Sequence, residues 1–109
     1  MQVIHFTDGA SDPLQAFRSQ RARFVPLADG AGETHLSCVH LRPRASVEDP
    51  PATHAAALLV VHGECTSIGE VPTCRIHCLP GMGCLVQAER YALESESGAI
   101  VFDLGGGRP

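Results

Sequence analysis

The sequence has no long apolar run, no dense basic cluster and no apolar leader. No window of the 109 residues approaches the roughly 20 uninterrupted apolar residues that a membrane helix requires. Eight Lys and Arg residues stand against twelve Asp and Glu, a net charge of −4, which argues against a phosphate-backbone partner. The first eight residues lack a positive region followed by an apolar stretch. We therefore expect a cytoplasmic protein that binds neither nucleic acid nor membrane.

Internal repeats and linkers are also missing from the sequence. A chain of 109 residues has the usual size of one domain and buries roughly two thirds of the surface that its unfolded form exposes. Apolar residues make up 44% of it, which is enough for one core. We predict a single domain over residues 1–104, followed by a disordered tail over 105–109 (Gly-Gly-Gly-Arg-Pro).

Cysteine is the one residue type that suggests a metal at first sight. Cys74 and Cys78, with His77 between them, have a spacing that invites a zinc hypothesis. Residues 73–79 are typical of a strand, however, and residues four apart on a strand are separated by about 13 Å. This exceeds the roughly 7 Å that a disulfide allows and the reach of one zinc ion. We predict buried thiols that act as small hydrophobes; a redox or metal role through non-local pairs is the alternative.

The order of apolar and turn residues predicts an all-β protein. Residues 2–6 alternate as a short strand, and Asp12 and Pro13 open a helical segment through Gln20, with Asp12 as the N-cap. Residues 23–27 are predicted to be extended, and 28–32 to form a turn. Further strand-like runs, separated by Gly and Pro, cover 33–41, 54–62, 64–68, 73–79, 83–88, 90–95 and 99–104. Short strands at this spacing indicate a sandwich or a barrel.

Two motifs within residues 41–104 resemble those of the small single-domain cupins of the cupin 2 type. Residues 41–46, 50–51 and 59–64 resemble the first cupin motif, G-x5-H-x-H-x3,4-E-x6-G. Residues 78–88 resemble the second motif, a Pro-Gly turn followed by an apolar strand. The resemblance implies a double-stranded β-helix, the jelly-roll barrel of cupins, preceded by a short N-terminal strand and helical segment.

The resemblance also shows which metal ligands are missing. Metal-binding cupins use two His and a Glu of the first motif and a His of the second. These positions fall on Ala52, His54, Ala56, and Tyr91 or Ala92, so only His54 matches. Because catalytic metal sites usually present three protein ligands, we predict a degenerate metal site with neither a bound metal nor another cofactor.

The residues left at this site predict a mostly apolar cavity. By the two-residue period of a strand, His54, Ala56, Leu58 and Val60 share one face, which lines the barrel in cupins. Such a cavity with a few polar anchors is the common form of a small-molecule site. The predicted ligand-binding residues are His54, Ala56, Leu58, Val60, Arg75, His77 and Tyr91. The alternative interpretation is that His54 is a hydrogen-bonded core residue and Tyr91 ordinary packing.

Three functions fit these residues. The first is a metal-free barrel that binds a small molecule around His54. The second is a non-oxidative cupin enzyme, such as an isomerase, cyclase or lyase, with His54 as general acid or base and Tyr91 as donor to a developing oxyanion. The third is a metal-dependent cupin, such as a dioxygenase or sugar isomerase, with unorthodox ligands. Whether the protein is an enzyme stays open at this point.

The resemblance further implies a homodimer. Small cupins pair through sheet edges and exchanged terminal strands, and residues 2–6 are the natural candidate for exchange here. A full-length dimer that becomes a monomer after deletion of residues 1–8 would fit this expectation.

Overall fold

A computed structural model describes residues 3–7, 9, 11–13, 19–29, 34–48, 56–70, 73–86 and 91–106. These residues form an all-β, nearly closed antiparallel barrel. Its strands are β1 Asp12–Pro13, β2 Gln20–Asp29, β3 Thr34–Val47, β4 Ala56–Gly63, β5 Cys65–Glu70, β6 Thr73–Cys78, β7 Gly83–Val86, β8 Tyr91–Ser95 and β9 Ala99–Gly106. In the described ranges, no helix is long and apolar enough to cross a membrane.

The strands pair in the order β6-β5-β8-β3-β9-β4-β7, with β2 beside β3 and β1 beside β2. β3 belongs to both layers of the barrel: residues 34–41 pair with β9, whereas 45–47 pair with β8. The corner between the two halves contains Pro43 and Arg44. Pro43 has no N–H to donate to a ladder, and Arg44 has a φ of 64°. β3 therefore bends at these residues and exchanges one partner strand for another.

The core lies between the two layers and follows the two-residue period of the strands. Leu58 and Val60 of β4, Leu93 of β8 and Val101 of β9 are buried in it together with Leu41 of β3. Antiparallel partners share a face of the sheet. The register Leu58 with Asp103 and Val60 with Val101 therefore directs Asp103 into the same interior as these aliphatic side chains.

Several boundaries differ from the sequence predictions. Asp12 and Pro13 pair with Phe24 and Arg23 of β2 and thus form a short strand instead of the start of a helix. Residues 3–6 are not a strand. β3 continues through Pro43, which was predicted to end it. Residues 14–18, 30–33 and 107–109 lie outside the described ranges.

The end of β9 also corrects the predicted tail. Gly105 and Gly106 pair with His35 and Thr34 of β3, so the last strand continues two residues into the segment that was predicted to be disordered. The glycines suit this position because Gly105 faces the imidazole of His35 at close range.

Residues near the N-terminus pack on the outside of the barrel, against the sheet of β3 and β9. The ring of Phe6 meets that of Phe102 edge to face, with centroids 5.2 Å apart. His40 Nε2 lies 2.6 Å from the carbonyl oxygen of Phe6; because a carbonyl only accepts, the ring donates from Nε2. His40 is buried, so this segment covers a polar group that β3 directs outward.

The cysteines are all free thiols. Cys38, Cys65 and Cys78 are buried, as predicted, while Cys84 is half-buried and Cys74 is exposed. Burial raises the pKa of Cys38 to about 11 and that of Cys65 to about 12. Thiols with such pKa values are poor nucleophiles, in keeping with a packing role. The prediction of a buried thiol is wrong for Cys74, which lies on β6 at the end of the strand order.

Candidate ligand site inside the barrel

The predicted β4 face points into the barrel, but its histidine lies outside the described residues. Ala56 is half-buried, and Leu58 and Val60 are buried. His54 belongs to the range 49–55, for which no placement is described. The described part of this face is therefore wholly apolar, and the polar groups of the interior come from other strands.

Arg75 and His77 lie on the outside of the barrel. Thr66 of β5 pairs with His77 on one side and with Glu94 on the other, so these three side chains share the outer face. Arg75 forms an ion pair with Glu94, and its side chain is 61% exposed. The structure does not bring Arg75 or His77 together with Tyr91, which is buried in the core.

An outer groove contains His77. Its volume is about 370 Å³, and it is lined by Arg44, Ala45, Ser46, Glu64, Thr66, His77, Glu94, Ser95 and Glu96. His77 Nδ1 lies 3.1 Å from Thr66 Oγ1 and 3.6 Å from Glu64 Oε2. Both contacts use the same ring nitrogen, so the three residues do not form a relay of the serine-hydrolase kind, which needs a partner on each nitrogen.

Glu64 organises the base of this groove. Its Oε1 accepts hydrogen bonds from the backbone N–H of Glu96 at 2.8 Å and of Ser97 at 2.9 Å, and from the hydroxyls of Ser95 and Ser97 at 3.0 Å. These bonds, led by the Ser97 N–H, lower the pKa of Glu64. The carboxylate closes the turn between β8 and β9, a structural role.

Within the described interior, an imidazole, a carboxyl group and a phenol form what we call the interior polar cluster: His35 of β3, Asp103 of β9 and Tyr91 of β8. The register pairs Ser37 with Asp103 and His35 with Gly105, so His35 is a diagonal neighbour of Asp103 on the same face. Neither His35 nor Asp103 was predicted as a site residue from the sequence. Asp103 has the same strand parity as Val101 and Ala99, and a carboxyl at a core position of an apolar strand was the available signal.

His35 lies beside Ala56, the position to which the cupin motif assigns a Glu ligand. A Cβ built on Gly105 would stand 3.1 Å from His35 Cε1 and 3.5 Å from Ala56 Cβ. Because Gly105 has no side chain and Ala56 has only a methyl group, the imidazole has room between them. The side chain of His35 on β3 thus lies next to Ala56 of β4, the position at which the cupin motif has a Glu.

Two atoms of this cluster are buried without a hydrogen-bond partner. They are His35 Nδ1 and Asp103 Oδ1. Burial raises the pKa of Asp103, and the positive charge that His35 can carry opposes this effect. A buried polar atom without a partner costs about 1–3 kcal/mol, and native proteins keep few of them. The two atoms are therefore the clearest unexplained polar groups of the described interior.

Tyr91 adds a hydrogen-bond donor to the cluster. Burial, followed by the charges of Asp103 and Cys84, raises the pKa of its hydroxyl well above the ordinary value. The side chain therefore stays a neutral phenol at physiological pH. Cys84 Sγ lies 3.2 Å from Ser67 Oγ, so a thiol and a hydroxyl continue the polar side of the interior towards β5 and β7.

The described residues do not fit the metal site of a cupin. Ala56 and Tyr91 stand at two of the ligand positions of the motif. Within the part of the chain that the structure describes, no three His, Cys, Asp or Glu side chains converge in a way that could hold a metal ion.

Comparison with known proteins gives similarity in structure but not in sequence. No family model matches the sequence, and neither does any curated protein. The polyketide cyclase RemF from Streptomyces resistomycificus is similar in structure with a TM-score of 0.83 and 14% identity, over 99% of this chain and 80% of that one.

Two further structures have the same architecture. A cupin superfamily protein from Desulfitobacterium hafniense DCB-2 has a TM-score of 0.72 and 16% identity, over 89% of this chain and 92% of that one. KdgF from a Halomonas species has a TM-score of 0.68 and 17% identity, over 95% and 94%. The chain therefore has the cupin fold, which confirms the sequence prediction of a cupin-type jelly-roll barrel.

Proposed function

We propose that the protein binds a small molecule inside the barrel, at the interior polar cluster. The observation that supports this function is the pair of buried, unpartnered atoms His35 Nδ1 and Asp103 Oδ1. A ligand that hydrogen-bonds to both removes the cost of leaving them unpaired. The metal-free binding function, the β4 face and Tyr91 are those predicted from the sequence, and His35 and Asp103 are added as polar anchors.

The lining defines the chemistry of the ligand. Leu58, Val60 and Val101 offer apolar contact, while the cluster offers an imidazole, a carboxyl group and a phenol. This combination suits a molecule with an apolar body and a hydroxyl or carbonyl at one end. We place the protein in the cytoplasm, where its free thiols stay reduced.

A non-oxidative enzyme is the second candidate, since two observations favour it. Asp103, an acid of raised pKa, lies in the same interior as a neutral phenol, and the fold is similar to that of a polyketide cyclase. In an isomerisation or cyclisation, the Asp103 carboxylate takes a proton from the carbon next to a carbonyl group. Tyr91 donates a hydrogen bond to the carbonyl oxygen as negative charge develops there.

Binding is tested with a matched pair of probes, 1-naphthol and naphthalene, by isothermal titration calorimetry. We expect the wild type to bind 1-naphthol more tightly than naphthalene. In Asp103→Asn and Tyr91→Phe, the ratio of the two affinities should fall at least tenfold, while the affinity for naphthalene stays unchanged. His77→Ala in the outer groove is the control and should bind both probes as the wild type does. Equal preference in wild type, Asp103→Asn and Tyr91→Phe would refute the interior site.

Catalysis is tested by NMR, as α-proton exchange of 2-tetralone in D2O. Loss of exchange in Asp103→Asn with retained binding would support the enzyme. No acceleration by the wild type over buffer would leave the binding function. Metal analysis of protein purified without chelators covers the metal-dependent alternative, which substoichiometric iron, zinc, manganese and nickel would exclude.

A further inference from the structure

Three of the five cysteines lie together in the barrel interior. Cys65 of β5 and Cys78 of β6 are direct cross-strand partners, and both are buried. The thiols of Cys84 on β7 and Cys78 are in hydrogen-bond contact, and Cys84 Sγ also lies 3.2 Å from Ser67 Oγ. A packing role explains one small apolar side chain at a time, but it gives no reason for two thiols in direct contact.

The chain between Cys78 and Cys84 is a tight turn over residues 79–82. The last N–H of the turn donates to its first carbonyl oxygen at 2.9 Å. Gly81, its third residue, has a φ of 87° and follows Pro80, which is the pattern of a type II turn. Because the turn reverses the chain, the end of β6 and the start of β7 set the two cysteines side by side.

Backbone hydrogen bonds fix this turn to β4. The carbonyl oxygen of Val60 accepts a hydrogen bond from the N–H of Gly81 at 3.0 Å, and the N–H of Val60 donates to the carbonyl oxygen of Met82 at 2.9 Å. A Cβ on Gly83, just before the second cysteine, would stand 2.4 Å from the carbonyl oxygen of Leu58. The contact between the two thiols is therefore set by a backbone that is held on β4.

The two thiols differ in burial. Cys78 is 1% exposed, and burial raises the pKa of its thiol, whereas Cys84 is half-buried. A small oxidant therefore reaches Cys84 first, because a buried thiol of raised pKa is a slow nucleophile. A reactive cysteine beside a second thiol that can resolve it is the arrangement of a reversible oxidation site.

We propose that Cys84 and Cys78 are a site of reversible oxidation by hydroperoxides, at which they form a disulfide. The sulfur of Cys84 attacks one peroxide oxygen, the O–O bond breaks, and the leaving oxygen takes a proton as water or an alcohol. Cys84 is then a sulfenic acid, whose oxygen leaves as water when the sulfur of Cys78 attacks that of Cys84. The cysteine pair loses two electrons and two protons, and the hydroperoxide gains them.

Cys65 is the competing partner, because it faces Cys78 across β5 and β6. Both of these thiols are 1% exposed, so a bond between them contains no sulfur that an oxidant reaches directly. The half-buried Cys84 provides that access. The oxidation site does not depend on a ligand at the interior polar cluster.

Peptide mapping after treatment of the native protein with hydrogen peroxide tests the proposal. After the remaining thiols are alkylated, trypsin leaves both proposed partners on one peptide, residues 76–90, whereas Cys65 lies on residues 45–75. We expect peptide 76–90 to lack two hydrogen atoms and to carry no alkyl group, and to regain both thiols after reduction with dithiothreitol. Oxidation of Met82 adds an oxygen atom instead and is distinguished by mass.

Three variants identify the role of each thiol. In Cys78→Ser the sulfenic acid on Cys84 has no resolving partner, so its labelling by dimedone should increase at least tenfold over the wild type. In Cys84→Ser, Cys78 should stay reduced. Cys74→Ser changes an exposed thiol outside the pair and is the matched control, which should form the disulfide as the wild type does. Circular dichroism checks the fold of each variant, and the wild-type map decides the proposal even where a variant does not fold.

Four results would overturn the proposal. The first is a peptide 76–90 that keeps both thiols when peroxide is raised until the exposed Cys74 reacts. The second is a disulfide that joins residues 45–75 to 76–90, because its partner is then Cys65 or Cys74. The third is oxidation of Cys84 beyond the sulfenic acid without a disulfide, which would show that Cys78 does not resolve it. The fourth is loss of the disulfide in Cys74→Ser, which would show that oxidation proceeds through Cys74.

Discussion

At the scale of single residues, Asp103 places a carboxyl group between Ser37 of β3 and Leu58 of β4. Its raised pKa means that the folded state holds the proton more tightly than the unfolded state. Stability is then lost as the pH rises from the ordinary value of 3.8 through the raised value. The buried Asp103 carboxyl therefore lowers the stability of the folded state at neutral pH.

We accordingly expect Asp103→Asn to raise the free energy of unfolding by about 1 kcal/mol at neutral pH. The substitution removes a buried charge, while the amide side chain keeps nearly the same shape as the carboxylate. The gain should disappear below pH 3.8, where both states of the wild type are protonated. Urea unfolding at several pH values measures it. Asp12→Asn, at an exposed position, is the control, and a stability loss in Asp103→Asn at pH 7 would contradict the prediction.

The pKa of Glu64 is shifted in the opposite direction to that of Asp103, so its effect on stability has the opposite pH dependence. Hydrogen bonds from the β8–β9 turn lower its pKa, so its contribution is complete above the ordinary value of 4.5 and is lost as the pH falls through the lowered value. Glu64→Gln should cost about 1.5 kcal/mol at pH 7, the value of hydrogen bonds to a charged group, and much less in acid. Thermal unfolding at several pH values measures this cost, with Glu96→Gln as the control variant. A cost of Glu64→Gln that does not depend on pH would exclude the charge of Glu64 as its source.

At the scale of elements, the turn after β4 and the turn before β9 touch through Gly63. This glycine has a φ of 78°, and a Cβ on it would stand 2.0 Å from the carbonyl oxygen of Gly98. Gly81 has a similar φ of 87° with nothing within 4 Å. Substitutions at Gly81 and Gly63 therefore distinguish the cost of backbone strain alone from the cost of strain together with a steric collision.

Gly63→Ala should therefore destabilise the protein by about 3 kcal/mol or more, since the left-handed conformation and the collision add. Gly81→Ala should cost only about 1 kcal/mol, for the conformation alone. Urea unfolding of the two variants gives the comparison. Equal costs would mean that the turns move apart freely.

Strand positions were predictable at this scale because Gly and Pro separate the apolar runs, and the β4 to β9 regions follow the predicted runs closely. The corner of β3 was not predictable from the sequence. Pro43 interrupts the hydrogen bonds between strands only locally, and pairing with β8 continues the strand beyond it. Asp12 and Pro13 satisfy the rules for a helix start, but pairing with β2 overrides them.

The candidate site was predictable only in part. The two-residue period identified the inward face of β4 because that face lies on one strand. His35 and Asp103 meet through the register between β3 and β9, which depends on tertiary pairing and is not readable from spacing along the chain. The parity of Asp103 with Val101 indicated an inward carboxyl, but only the pairing identified its neighbours.

At the scale of the whole molecule, the segment around Phe6 covers a part of the outer surface of the barrel. Beneath it lie His40, bonded to the carbonyl of Phe6, and Cys38, whose Sγ lies 3.9 Å from the same oxygen. Cys38 is fully buried although it points away from the core. Its reactivity therefore reports on the cover, while the exposed Cys74 provides an internal reference.

Deletion of residues 1–8 should uncover Cys38, while the strands of the barrel stay paired. We expect labelling of Cys38 by a thiol reagent to accelerate at least tenfold relative to Cys74, because uncovering removes the burial that raises its pKa. Mass spectrometry of the labelled peptides measures both rates. If two copies exchange residues 2–6, the deleted protein should be a monomer. Unchanged Cys38 labelling would show that another segment covers this surface.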